Sequence, residues 1–327
     1  MRVQQIRSLA VSSSVAFALA LAACSGGDGG TSAPLIPSPP VTPTPSPTPT
    51  PTPTPTPAPG LTTQTAVKIF PGVTASTNFA TMALEVPRGP APTVTNASAG
   101  VTVRYDASSG TYLMAFPGAP EAPFYQFGGN TPNATWWNGE TLQSNGNAPA
   151  VVTVLKPTNP QQQFSYTTLA YYDTGGMGGG SIGWTAFGIP APAGSVPTTG
   201  SAAYQAMVAG VSADAPAWSV RGTATLQFNF ASGTLAGHFD PVIYDLLAYG
   251  DAGLSLGRYD FSNTVYSSGS TTFSGQLTQP GITGTGSFNG QFTGPAAQEL
   301  MSTWTAPYLN PDTNAQSTMF GVWVGSK

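Results

Sequence analysis

The sequence predicts an all-β protein whose C-terminal part is an eight-stranded antiparallel β-barrel, preceded by a second β-rich domain and carried on a disordered Pro/Thr stalk. Three observations predict this. Only 7% of the 327 residues are charged, while Gly (39), Pro (33) and aromatic residues (10%) are abundant. That is the composition of extracellular β-structure with many turns, not of a helical protein. Past residue 200, eight segments alternate apolar and polar residues with the period of a strand. Between Pro37 and Pro59, proline alternates with threonine.

The chain opens with Arg2 and Arg7, and no acidic residue precedes Asp28. Leu9 to Ala23 is an apolar run broken only by Ser12, Ser13 and Ser14. This is a secretory signal, short of the roughly 20 apolar residues of a membrane-spanning helix. It ends in Leu21-Ala-Ala-Cys24, and Cys24 is the only cysteine in the chain. With no partner it serves no intrachain disulfide, and an exposed thiol is a liability in an oxidising compartment. The ending resembles the bacterial lipobox. The resemblance implies cleavage after Ala23, a thioether-linked lipid on Cys24 and acylation, typically with palmitate, of the new amino terminus. Several acyl chains anchor stably where a single one is marginal. Ser25 stands where an aspartate would retain the protein, so the resemblance implies the outer membrane as destination. The competing reading is an ordinary signal whose cleavage site includes a cysteine.

Ser25 to Ser32 is rich in Gly and Ser and reads as a flexible linker. From Pro37 to Pro59 each proline fixes its own φ and biases its predecessor to extended geometry, giving polyproline II. At about 3.1 Å per residue, roughly 20 residues hold the next domain about 60–70 Å from the lipid. The chain has 9 basic and 13 acidic residues. Losing Arg2 and Arg7 with the signal leaves 7 − 13 = −6. There is no basic stripe to neutralise phosphate, which argues against nucleic acid as a partner.

From Leu61 the strands follow in order. Val101-Thr-Val-Arg-Tyr105 alternates, Asp106 to Gly110 turns, and Thr111-Tyr-Leu-Met-Ala-Phe116 returns, which is a hairpin. Val151 to Lys156, Phe164 to Tyr172 and Ile182 to Phe187 are further strands, with a flexible Gly175–Gly180 loop before the last. Gly188 to Thr199, with three prolines, marks a domain boundary. Beyond it the predicted strands are 201–211, 218–230, 234–239, 242–248, 255–265, 270–278, 282–292 and 318–325. Eight such strands close without an edge and just fill their own interior; a sandwich would show the same pattern. Closure requires Thr318 to Val324 to pair with Ala202 to Val211. Pro295 to Trp304 is predicted as the one helical turn, with Pro295 at its first position.

The run Gly286-Ser-Phe-Asn-Gly-Gln-Phe-Thr-Gly-Pro-Ala-Ala-Gln-Glu-Leu300 resembles the final barrel hairpin of the transferrin-binding protein B family. There a Gly-x-Phe-x-Gly-x-Phe-x-Gly strand runs into a short helix beginning Pro-x-Ala-x-Glu. Phe320-Gly-Val-Trp-Val324 resembles the last strand of that domain. Thr199-Gly-Ser-Ala-Ala-Tyr204 and Gly222-Thr-Ala-Thr-Leu-Gln-Phe228 resemble its opening strands. The likeness covers about 198–327. It implies a surface lipoprotein with a β-rich handle domain over 61–197 and a barrel over 198–327, beyond the signal (1–23) and linker (24–60). It also implies capture of an external protein or small solute, such as an iron or haem source. The partner transporter would be a TonB-dependent receptor or surface-lipoprotein translocator. Two departures stand out: the chain has room for one lobe where transferrin receptors have two, and Met301-Ser302 replaces the family's Gly-Gly. A structural or adhesive surface protein is the alternative from another class.

No residues stand out as catalytic. His238 is the only histidine, and with Cys24 processed a Cys/His zinc site is excluded on ligand count. A lone strand histidine reads as a surface or barrel-mouth residue, with haem ligation as the sharper alternative. No Gly-x-Ser-x-Gly sits in a strand–turn–helix setting, and Asp240, Asp245, Asp251 and Asp260 read as strand-end or loop residues. Gly175 to Gly180 lacks the Lys-Ser/Thr and helix of a phosphate cradle. The expectation is therefore no metal and no cofactor. The one candidate binding surface is aromatic: Phe124, Tyr125 and Phe127 precede, and Trp136 and Trp137 follow, the turn-rich Gly128 to Thr135. The competing reading is that these rings cap the core of the first domain.

Overall fold

The structure is a computed structural model and describes residues 59–61, 64, 68–70, 72–79, 93–95, 101–117, 119–126, 136–141, 150–156, 164–175, 180–214, 218–245 and 252–327. The signal, Ala23 and Cys24, the Pro/Thr stalk, Phe127 and the loop residues 176–179 lie outside the described residues. Every named element among those described is a strand, and these form two antiparallel sheets.

The first sheet contains β1 (Lys68–Phe70), β2 (Gly72–Phe79), β3 (Thr93–Thr95), β4 (Thr102–Asp106), β5 (Thr111–Phe116), β6 (Ala119–Gln126), β7 (Trp136–Thr141), β8 (Ala150–Leu155), β9 (Thr167–Asp173) and β10 (Gly180–Gly188). Its order is β1-β4-β5-β6-β7-β8-β9-β10-β2-β3. β1 ends at Phe70 on one side of this meander, and β2 starts at Gly72 on the other, beside β10. One stretch of chain therefore serves both sides, and the sheet curls on itself. The residue between the two is Pro71, which has no N–H to give to either ladder. The curled interior holds Phe70, Val103, Tyr112, Met114, Phe116, Val152, Val154, Tyr172 and Phe187, with Phe116 and Tyr172 stacked at 4.7 Å.

The second sheet contains β11 (Ser201–Ser212), β12 (Trp218–Asn229), β13 (Thr234–Asp245), β14 (Leu254–Ser255), β15 (Tyr259–Val265), β16 (Thr272–Thr278), β17 (Gly286–Thr293), β18 (Glu299–Leu309) and β19 (Gln316–Ser326). Its order is β12-β11-β19-β18-β17-β16-β15-β13-β14, and β12 also pairs with β13. That last pairing closes eight strands into a barrel, with β14 as a short appendage, so the sandwich alternative falls. β19 pairs with β11 as closure requires, for example Val324 with Met207 and Phe320 with Val211. The interior is filled by rings: Phe239 lies 4.9 Å from Trp304, Phe261 4.5 Å from Phe288 and Phe228 4.8 Å from Phe292. Such aromatic packing gives the barrel a solid core.

Two predictions about these strands are corrected. Segments 234–239 and 242–248 are one strand, β13, running through Pro241. Pro241 pairs with Gly222, whose φ of +145° suits glycine alone, and a Cβ there would lie 2.2 Å from the carbonyl oxygen of Asp240. Pro295 to Trp304 is not a helical turn. Ala297 turns left-handed at φ +51°, and the chain enters β18 at Glu299. β18 reads as helix-compatible because it is buried on both faces: Leu300, Trp304 and Tyr308 join the barrel core while Met301 meets the first sheet. The eight-strand count is correct because these two differences cancel.

The sheets pack through Val73, Leu155, Leu169 and Ala186 on one side and Ala209, Met301, Val322 and Val324 on the other. Ala75, Val211 and Phe320 extend this contact. The connection after β10 is bound to the barrel end. Pro190 bridges to Thr293, Ala191 N–H donates to Phe292 at 2.9 Å, and Val196 joins the barrel core.

Candidate functional site

Four of the five aromatic candidates sit on strands that flank the turn-rich Gly128 to Thr135, a segment that with Phe127 lies outside the described residues. Phe124 and Tyr125 end β6, while Trp136 and Trp137 begin β7. β6 was missed in the sequence because Pro120 and Pro123 break its pattern. β6 and β7 pair through Phe124 with Thr141 and Tyr125 with Glu140, and β7 pairs onward through Trp136 with Leu155 and Trp137 with Val154.

Strand alternation divides Phe124 from Tyr125. Phe124 is partly buried and packs against the core of the first sheet. Its ring covers Gly139, where a Cβ would lie 2.6 Å from Phe124 Cε2. Tyr125 points the other way and is 50% exposed. Across the sheet on that face the register runs Tyr125, Glu140, Val151, Asp173. Val151 is 47% exposed. Two large side chains with apolar bodies thus stand in solvent, with the partly exposed carboxylate residues Glu140 and Asp173 beside them in the register. On the same side of the sheet Arg104 pairs with Glu121 at 2.6 Å. Glu140 and Val151 were missed; the signal for Val151 was the Ala150 to Leu155 run, apolar on both strand faces except at Thr153, whose apolar residues cannot all face one core.

His238 lies on β13 with Nε2 3.3 Å from Asp240 Oδ2, and Asp240 Oδ1 accepts from Arg258 Nε at 3.2 Å. Asp260 is its cross-strand neighbour on β15. The histidine belongs to a partly exposed charge cluster on the barrel wall. Among the described residues, no three or more His, Cys, Asp or Glu come together in a way that would hold a metal ion.

Glu299, which the sequence marked only as part of the Pro-x-Ala-x-Glu run, is the buried carboxylate of the molecule's junction, at 3% exposure. It accepts from the backbone N–H groups of Ser165 at 2.6 Å and Tyr166 at 3.0 Å. Burial raises its pKa to about 7, against the lowering effect of the hydrogen bonds from Ser165, Tyr166 and Thr167.

No family model and no curated protein matches the chain. Among solved structures it is similar to a double mutant of transferrin-binding protein B from Haemophilus parasuis, at 14% identity and TM-score 0.43, covering 78% of this chain and 44% of that one. It is similar also to an intact transferrin-binding protein B with N and C lobes, at 13% identity and TM-score 0.43, covering 78% and 46%. A structure described as a surface lipoprotein matches at 9% identity and TM-score 0.33, covering 78% and 98%. The chain spans less than half the length of the first two.

Proposed function

We propose that this chain is an outer-membrane lipoprotein that binds an external protein or small solute and hands it to a partner transporter, without catalysis. In this reading residues 1–23 are the signal, Cys24 carries the lipid, 24–60 form the linker, 61–197 the binding domain and 198–327 a scaffold barrel. The observation that carries it is the exposed pair Tyr125 and Val151, on the two strands that flank β7 in the first sheet. The barrel favours the same assignment of roles, because its interior is filled by its own aromatic side chains. A ligand is therefore met on an outer surface, and rigid aromatic rings supply contact area there at low entropic cost. The lipobox-like Leu21-Ala-Ala-Cys24 supports the anchor, and the transferrin-binding structures to which the chain is similar support an external protein as ligand.

The test is capture by the full lipoprotein displayed on cells. The cells are incubated with serum and with haem, washed, and the retained material is identified. Saturable retention of a defined protein or of haem, absent from cells lacking the lipoprotein, supports capture. Cells that retain neither, but gain adhesion to surfaces or to one another, would favour the structural or adhesive alternative.

A further inference from the structure

Where the first sheet departs from the barrel wall, a cleft of about 440 Å³ opens between them. β8 shows the departure residue by residue. Leu155 is buried against the barrel, Thr153 lines the cleft, and Val151 stands in solvent. Trp184 on β10 forms the apolar wall on this side, its ring 5.4 Å from that of Tyr171. The facing wall is the outer surface of β11 and β12, where Met207 and Ala209 line the cleft and Arg221 is the cross-strand partner of Ala209. Space remains there because Ala209 is small.

Arg221 is exposed. Its guanidinium lies 5.1 Å from the ring centre of Tyr244, and no carboxylate among the described residues pairs with it. Stacking on tyrosine fixes the plane of a guanidinium and leaves its N–H fork free for a carboxylate. The combination is an apolar cleft of small-molecule size with one oriented cation at its edge.

We propose that this cleft binds a small amphiphile, with its apolar body between Trp184 and Met207 and its terminal carboxylate on Arg221. The site is separate from the Tyr125 face and does not depend on capture there.

The test uses the full mature polypeptide made without its acyl chains. It is titrated with decanoate and, separately, with decanol, which has the same chain and no charge, following tryptophan fluorescence and heat. The expected result is saturable decanoate binding at one site with Kd below about 1 mM. Arg221→Gln, at an exposed position, is expected to keep the melting point, weaken decanoate at least about tenfold and leave decanol within about twofold. Absence of saturable decanoate binding would overturn the proposal. So would equal decanoate affinity in Arg221→Gln, or an equal loss for decanoate and decanol.

Discussion

The carboxylate of Glu299 accepts the backbone N–H of Ser165 at 2.6 Å, so the first residue of β18 in the barrel holds the chain that leads into β9 of the first sheet. Burial raises the pKa of this carboxylate from 4.5 to about 7, so between those values the folded chain binds a proton that the unfolded chain has lost. Stability therefore falls as pH rises through that window, by about 3 kcal/mol at most from this group. Glu299→Gln is expected to remove this part of the pH dependence in denaturant titrations between pH 5 and about pH 8. Glu299→Ala leaves the two N–H groups unpaired and is expected to cost about 2–4 kcal/mol. An unchanged slope of stability against pH in Glu299→Gln would show that the junction does not titrate.

Gly210 and Trp304 fit tightly in the barrel core. A Cβ on Gly210 would lie 2.6 Å from Trp304 Cζ2 and 2.4 Å from the carbonyl oxygen of Phe320. Gly210→Val is therefore expected to destabilise by about 1–3 kcal/mol or more, through forced movement of the indole and of β19. Thermal unfolding checks this. A variant melting with the wild type would mean that the barrel yields without cost.

Removing residues 318–327 takes away most of β19 and leaves β11 and β18 as open edges. It also strips the partners of Ala209 and Met301 at the junction. The expected outcome is aggregation or rapid proteolysis, because open apolar edges recruit other chains. A truncated protein that unfolds cooperatively near the full-length midpoint would contradict a closed barrel as the source of stability.

Cys24→Ala is expected to release the protein from the membrane fraction or to leave an uncleaved precursor, and to abolish incorporation of labelled palmitate. Labelled, membrane-bound Cys24→Ala protein would refute the lipobox reading.

Regular alternation made most of the barrel legible. Ala224 to Phe230 and Thr271 to Leu277 face solvent on one side, so their pattern has period two, and they appear as strands β12 and β16 where expected. β18 was illegible because both faces are buried, and Glu299 and Met301 gave no hint that they face a second sheet. β6 was hidden by Pro120 and Pro123, and β7 by its short length. The aromatic candidates were found as a group, but their division was not. Whether Phe124 or Tyr125 faces out depends on the register of β6 against β7, set by pairing across a segment whose sequence carries no alternation.

Whether the face around Tyr125 or the barrel meets the partner is tested most directly by replacing Tyr125 and Trp137 separately with alanine, then measuring melting point and surface capture on the same preparations. Tyr125→Ala is expected to keep the wild-type melting point and to lose most capture, since its ring is half in solvent. Trp137→Ala with lost capture and an unchanged melting point places the tryptophan in the same surface. A drop of about 3–5 kcal/mol in stability with capture intact would instead assign it to packing. Wild-type capture by folded Tyr125→Ala and Trp137→Ala proteins alike would contradict the assignment of binding to this face.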